Sequence, residues 1–354
     1  MSNELPFGKI SPLIFKEVIL PRLGRHLDSV LVGPKNGVDV GIVQIGNKVI
    51  ATTTDPVFIV PNYGWSRAAW FAIHILVSDA VTSGLEPKYL TIDLNLPVSI
   101  TRDALEEMWS VIHRECEDMG IAIISGHTAR YEGTDFPMVG GATVIAEGNP
   151  DEYITPEMAQ SGDKVLITKG AAIEATGLFA ASFPDRIRKD FGEDFRKRAE
   201  EYFYQMSVVK EARLSVKIGV RDNGVTSLHD ATECGVIGGL FEVAQASGHG
   251  MIIEKDKIPV PEEVRLICER YGMDPYTSIS EGTLIITVRP HKSGELIKLL
   301  RDNSITVAEI GTVTDEKDII LKEGKKETHL KHPETDPFWS AFSRIMNEEK
   351  ENVK

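Results

Sequence analysis

Apolar and polar positions change period several times along the chain. In VDVGIVQIGNKVIATTT, residues 38–54, they alternate on both sides of Gly46-Asn47, which predicts two strands joined by a two-residue hairpin turn. The second strand should end on Thr52-Thr53-Thr54 and then Asp55, placed rigidly because Pro56 restricts the residue before it. SRAAWFAIHILVSDAVTSG then switches to helical spacing, with Ser66 as a plausible N-cap and Gly84 as the C′ residue. KYLTIDLNLP puts Leu90, Ile92, Leu94 and Leu96 on one face of a strand. A helix capped by Thr101 should run to about Met119 and stop at Gly120, followed by a short buried strand, IAIIS, ending at Gly126-His127-Thr128. MVGGATVIAEG predicts one more strand.

The pattern breaks near Gly148-Asn149-Pro150, which sets a boundary between residues 1–155 and 156–330. In the second half, DKVLITKG, TLIITVRP and ITVAEIGTV read as strands. CGVIGGLFEVAQASG and SGELIKLLRDN read as helices, and residues 184–213 as charged surface helix. Residues 331–354 read as a polar tail, frayed at MNEEKENVK. The whole is α+β: two halves, each mixing strands with covering helices.

Composition narrows the function. The formal charge of −14 argues against a nucleic-acid binder, whose affinity comes from neutralising phosphates, yet it allows a nucleotide carried with Mg²⁺. Three well-separated cysteines form no CxxC, which fits a reducing compartment better than a disulfide framework. MSNELPFGKI has no apolar signal core, and AAWFAIHILVSDAV is too short to span a bilayer, so a cytoplasmic protein with no membrane contact is expected.

Three acids sit in unlikely positions. Asp79 shares helical spacing with Ala72, Ile75 and Leu76, so it lies on or beside the apolar stripe and near the negative end of its helix. Burial and the dipole both disfavour a carboxylate there, and a nearby cation would relieve both; an Arg or Lys partner, or a turn to solvent, would also explain it. Asp39 follows the glycine-rich GPKNGV, whose backbone N–H groups could face an anion, although most such loops are only turns. No GK[ST] and no GxGxxG occurs. Asp55 at a strand end suits metal coordination or an Asx turn. Three such acids near one glycine loop favour a shared divalent cation, Mg²⁺ being the hard-ligand choice. In TSLHDATECGVIGG, Asp230 and Thr232 precede a helix beginning at Gly235, where free N–H groups could bind phosphate or be capped locally. His127 could be a base, a phosphate contact or a structural histidine, and Cys234 reads as an inert small residue.

In order, GPKNGVD, ATTTDPV, VSDAVTSGLEPKY, SGHTAR, HDATECGVIGGLFEVAQASG and SEGTLIITV form a set. It resembles the superfamily of aminoimidazole ribonucleotide synthetase, selenophosphate synthetase, thiamine-monophosphate kinase and the hydrogenase-maturation protein HypE, closest to the HypE branch, over about residues 30 to 315. The resemblance implies a two-domain fold whose N-terminal domain contributes strands to a homodimer barrel, with an α/β sandwich-like C-terminal domain. It implies that Asp39, Asp55 and Asp79 hold Mg²⁺ on ATP phosphates. Gly33, Lys35 and Gly37 would belong to a mobile loop over those phosphates, with Thr54 beside Asp55. Gly126, His127 and Thr128 would face the nucleotide, and Asp230, Thr232 and Gly235 the ATP and substrate cleft. Asp79, His127 and Asp230 would carry catalysis. The implied chemistry is ATP-dependent phosphorylation of an amide or carbonyl oxygen of a small substrate, with a protein partner in addition.

Three features depart from that pattern. GVDVG replaces the usual GEDAA, and DATECG replaces DPTRGG. KENVK stands where the HypE branch has a Pro-Arg-x-Cys tail, so no carbamoyl-carrying thiol is expected. Two alternatives therefore stand beside the first reading. One is a kinase or synthetase of the superfamily acting on a phosphorylated metabolite; the other is a dimeric nucleotide-binding or interaction protein that has lost turnover.

Overall fold

The computed structural model describes residue 10 and residues 12–352, and the signal-core reading of residues 1–9 and the last two tail residues fall outside it. Strands β1 (Val30–Val32), β2 (Gly41–Ile45), β3 (Lys48–Phe58), β4 (Glu86–Pro97), β5 (Ala122–Tyr131) and β6 (Met138–Gly148) form one sheet in the order β1-β2-β3-β6-β4-β5. The predicted hairpin is present, with Ile45 opposite Lys48 and Gly46 at φ 61°, the sign a type II′ turn requires of its first central residue.

β3 does not stop at Asp55. It continues through Pro56 to Phe58, with a register shift beyond Pro56. The reason is local: β2 pairs with β3 only from Lys48 to Thr52, so the rest of β3 has one open flank, where a proline lacking its N–H is tolerated. That open flank also uncovers Asp55. Ser66 is not the N-cap of its helix. The helix Trp65–Val81 begins after Gly64 at φ 84°, and the Ser66 N–H and hydroxyl both donate to Glu107 at 3.2 and 2.7 Å. The helix Arg102–Met119 starts as expected, its first turn capped by Thr101 accepting from the Ala104 N–H at 3.2 Å. β5 is longer than predicted and mostly exposed, because it is the sheet's edge, paired in parallel to β4 alone.

The second sheet, of order β13-β12-β9-β11-β7-β10-β8, is built from β7 (Lys164–Thr168), β8 (Val225–Ala231), β9 (Gly250–Glu254), β10 (Thr283–Val288), β11 (Val307–Thr314), β12 (Ile319–Glu323) and β13 (Lys326–His329). β8 is an edge strand, yet each of its residues is buried, because the first domain lies against it. One apolar core runs across that junction and joins Leu76 and Leu94 to Leu228 and Ile286. Each such side chain contributes about 1.5–3 kcal/mol by leaving water, enough to hold the two domains in fixed relation. The C-terminal segment is not a frayed polar tail. Residues Pro337–Asn352 form a helix whose Phe338, Ala341 and Ile345, spaced three and four apart, enter the core beside Phe179. No helix among the described residues is long and apolar enough to cross a membrane.

Candidate functional site

A cleft of about 750 Å³ opens between the glycine loop, the uncovered flank of β3, the helix Trp65–Val81 and the second domain. Asp79 reaches it from the last helical turns, its Oδ2 accepting from the Thr53 hydroxyl at 3.2 Å. It lies close enough to Asp55 for one carboxyl to donate to the other. Burial, the charge of Asp230, that shared proton and the charges of Asp39 and Asp55 hold the Asp79 carboxyl well above the usual range. Part of Asp79 still faces the open cleft. Asp230 stands at the end of β8, 1% exposed. Its oxygens have no well-formed hydrogen bond from another residue's backbone or from a basic side chain; its own N–H and the adjacent Glu281 carboxyl are the groups within reach. Burial and the Asp39 charge push Asp230 up to about 6, against the opposing effect of His229.

His229 precedes Asp230 and is the residue that ties the two domains together at this point. Its Nδ1 meets Asp39 Oδ2 at 2.9 Å and its Nε2 meets Glu242 Oε2 at 2.8 Å. Burial alone would lower its pKa; the Asp39 and Glu242 carboxylates overcome that and raise it well above the ordinary value. A doubly protonated ring donating from both nitrogens satisfies this geometry.

The donor set fits a hard divalent cation. Among the described residues, a compact group of possible ligand atoms, within 4.8 Å of one another, is formed by Asp39, His229 and Asp230. Both His229 nitrogens are already engaged, so the carboxylates are the available ligands. Asp55 and Asp79 extend the acidic wall, and Mg²⁺ commonly completes its octahedron with waters and phosphate oxygens rather than with protein alone. Unpaired or proton-sharing carboxyls around one space are the condition a cation would relieve.

Other predicted residues lie at varying distances from this centre. Gly37, at φ 75°, packs so tightly that a Cβ would lie 2.6 Å from the Glu242 carbonyl oxygen, which docks the glycine loop on the helix Gly235–Ser247. The Asn36 amide donates to Gln245 at 2.9 Å. Lys35 pairs with Glu157 and donates to the Ala246 carbonyl at 3.2 Å, so its ammonium is engaged by protein. At Gly33 the nearest atom to an added Cβ is 3.8 Å away, so packing does not demand glycine there. Thr54 is exposed and bonds Thr143 across the sheet at 2.8 Å. Thr232 lines the cleft, and Gly235, at φ 59°, starts the helix where a Cβ would strike the Ser278 carbonyl at 2.4 Å. That helix start is occupied: the Cys234 N–H donates to Asp336 at 2.7 Å and the Ile237 N–H to the Tyr276 carbonyl at 3.0 Å. Gly126, His127 and Thr128 sit on exposed β5. Register places Gly126 level with Asp55 through Ile92 and Ala142, three strands away, or about 14 Å at the usual spacing. His127 there bonds the Tyr131 hydroxyl at 3.0 Å. Within one chain the acids therefore converge and the SGHTAR turn does not join them.

Sequence reasoning passed over His229, Glu174, Glu281 and Asp336. Glu174 interrupts the apolar run GAAIEATGLFAA as Asp79 interrupts its own helix, so the same signal was present. Burial, partly opposed by the Glu281 N–H, pushes Glu174 up to about 8, with help from the charges of Asp336, Glu233 and Asp230. Glu281, 3% exposed, is raised well above its ordinary value by burial and then by Asp230 and Glu174.

Residues 37–152 match the family model described as AIR synthase related protein, N-terminal domain, and residues 160–323 match the C-terminal domain model. A Methanocaldococcus jannaschii protein provisionally described as a hydrogenase expression/formation protein is 25% identical over 305 residues, 84% of this chain and 85% of that one. Thiamine-monophosphate kinase of Aquifex aeolicus is 24% identical over 261 residues, 73% of this chain and 79% of the kinase. Among solved structures, HypE in its complex with HypF superposes with a TM-score of 0.70 at 19% identity, covering 90% of this chain and 99% of HypE. HypE in complex with ATP gives 0.66 at 21% identity, covering 94% and 98%. With the two domain models spanning most of its length in the expected order, the chain belongs to the AIR synthase related family.

Proposed function

We propose that this protein is an ATP- and Mg²⁺-dependent enzyme that phosphorylates an amide or carbonyl oxygen of a small substrate, activating the adjacent carbon. The observation that carries the reading is the meeting of Asp39, Asp55 and Asp79 in one cleft, with the charge of buried Asp230 acting on Asp79 from behind it, from four distant points of the sequence, and with no Lys or Arg among the main groups shifting Asp79. Mg²⁺ held there would neutralise phosphate charge. The protein's own part is positional: Asp39 fixed by His229, Asp79 fixed by Thr53, and the glycine loop set at the cleft's edge. The ATP complex of HypE and the kinase relative support a nucleotide ligand for this fold.

The kinase alternative on a phosphorylated metabolite is less favoured, because among the described residues the one basic side chain lining the cleft, Lys35, is already paired. We further propose a homodimer through the first sheet, where β5 leaves an edge unpaired and Ile124 and Met138 are 55% and 59% exposed. The HypE–HypF complex supports a protein partner as well. A cytoplasmic location fits three buried cysteines without a disulfide, two of whose thiols, Cys116 and Cys268, burial pushes up to about 11 and about 12.

Calorimetry with ATP, with and without Mg²⁺, tests the central claim. Wild-type protein should bind ATP only with Mg²⁺, and Asp79→Asn should weaken that binding at least tenfold while the variant still folds. Equal ATP binding by both proteins would remove the basis of this proposal.

A further inference from the structure

We propose that a second cavity, behind the start of the helix Gly235–Ser247, binds a small monocarboxylate with an apolar body. The site does not depend on the nucleotide reading above. Among the described residues, none that lines this cavity also lines the acidic cleft: Thr232 and Glu233 line the cleft, whereas Ile237, inside the helix, lines the cavity.

The cavity measures about 290 Å³, at the small end of the range of about 300–1,000 Å³ usual for ligand pockets. Ile237, Ile258, Leu321 and Leu330 give it an apolar lining, which gains by covering methyl and methylene groups. Its walls are fixed before a ligand arrives. The Tyr276 carbonyl accepts from the Ile237 N–H at 3.0 Å. Asp274 Oδ1 accepts from the Tyr276 N–H at 2.9 Å, and the Asp274 carbonyl from the Ser278 hydroxyl at 2.7 Å. Another wall is the segment from Leu330 to Pro333, tied down on both sides. The Leu330 N–H donates to the Ile319 carbonyl at 2.9 Å, and Asp336 accepts from the Cys234 N–H at 2.7 Å. This segment lies beyond residue 323, where the match to the C-terminal domain model ends, so part of the cavity is built from outside the shared domain.

The polar lining sets the charge of the occupant. Lys331 lines the cavity, and among the described residues its ammonium has no ion pair or hydrogen bond. Lys255 Nζ lies 5.2 Å from the centre of the Tyr276 ring and donates to Glu323 at 3.0 Å, which leaves two of its three N–H groups unspent. The Tyr276 and Thr277 hydroxyls likewise have no partner among the described residues. Donors are therefore in excess around an apolar lining, and a carboxylate is an acceptor with room for several of them. Asp274 is the one acid that lines the cavity among the described residues, and Glu323 stands beyond Lys255. Those two acids would repel a doubly charged phosphate ester more than a single carboxylate, while the unpaired Lys331 disfavours a cation. A bare inorganic anion would leave the apolar lining uncovered.

Four probes with one branched skeleton and different charge test this on the full chain: 4-methylpentanoate, 4-methylpentan-1-ol, 4-methylpentylammonium and 3-methylbutyl phosphate. Ligand-observed NMR titration measures their affinities. The carboxylate should bind at least fivefold more tightly than each of the other three. Lys331→Met keeps the stem and removes the charge, and should weaken the carboxylate at least fivefold. Leu321→Trp fills the cavity and should abolish binding. Both variants should keep the wild-type circular dichroism spectrum and change the calorimetric affinity for Mg²⁺ with the β,γ-methylene analogue of ATP less than twofold. Asp79→Asn should leave the carboxylate's affinity unchanged. No carboxylate binding, equal or tighter binding of the alcohol, ammonium or phosphate, or an unaltered affinity in Lys331→Met would overturn the proposal. Loss of carboxylate binding in Asp79→Asn would overturn it too, by placing the ligand in the acidic cleft. Carboxylate binding without binding of the ATP analogue would sink the nucleotide reading and leave this one standing.

Discussion

Replacing Glu174 by glutamine should stabilise the ligand-free protein, and by more as pH rises. Burial pushes this carboxyl from 4.5 up to about 8. A group that binds its proton more tightly folded than unfolded gives the native state extra protons, so stability is full below the unfolded pKa and declines as pH climbs toward the folded one. At pH 7 the native state still holds the proton across about 2.5 pKa units that the unfolded chain does not, which amounts to about 3 kcal/mol at 1.36 kcal/mol per unit. Glu174 keeps one side toward the cleft, where water screens part of this, leaving on the order of 2 kcal/mol. Glutamine carries no ionisation cost, and its amide oxygen can still accept from the Glu281 N–H. Urea unfolding in EDTA, followed by circular dichroism from pH 5 to pH 8, measures the gap between Glu174→Gln and wild type. The gap should be small at pH 5 and widen to about 2 kcal/mol by pH 7. A gap that stays constant with pH, or a variant less stable than wild type at pH 7, would refute the burial argument.

His229→Leu leaves Asp39 and Glu242 without their shared partner at the domain junction, and should cost about 3 kcal/mol in urea unfolding while weakening Mg²⁺–ATP binding by calorimetry. Asp336→Ala removes the acceptor of both the Cys234 and the Phe338 N–H groups. It should cost about 1–2 kcal/mol and open the chain near residues 330–337 to limited proteolysis. Ile124→Glu places a charge on the exposed edge strand and should shift the protein from dimer to monomer in light scattering, with an unchanged circular dichroism spectrum.

What was legible in the sequence was what local chemistry decides. The hairpin at Gly46-Asn47, the face of Leu90, Ile92, Leu94 and Leu96, and the helix from Thr101 to Gly120 depend on turn geometry, period and caps within a few residues. β8 was missed for the opposite reason. Val225–Ala231 contains Thr, Ser, His and Asp, which read as a loop, and it is a strand because it pairs with β10 along one edge while the neighbouring domain and the helix Gly235–Ser247 cover its faces. The C-terminal helix was missed because MNEEKENVK is polar, while the apolar stripe that docks it begins earlier, at Phe338. Asp55 stands out in the sequence as an acid before a proline at an apparent strand end, yet β3 does not end there, and the acid is uncovered because β2 is shorter than β3.

The acids of the cleft show why the site was only half readable. Asp79 and Glu174 each break an apolar run, and that break is visible in one dimension. What the break means depends on what stands opposite, and here the answer differs between neighbours on a single strand. His229 is buried and satisfied, its two nitrogens spent on Asp39 and Glu242. Asp230, the next residue, is equally buried, with the Asp39 and Glu281 carboxyls as well as the His229 ring beside it, and burial and the Asp39 charge outweigh the His229 charge. Stability alone gives no reason to keep a buried acid at position 230 beside the Asp39 and Glu281 carboxyls, since substitution by asparagine would remove an ionisation cost. The carboxyls are therefore explained by what they bind rather than by what they hold together. His229 belongs to the scaffold that keeps Asp39 within reach of the same ligand.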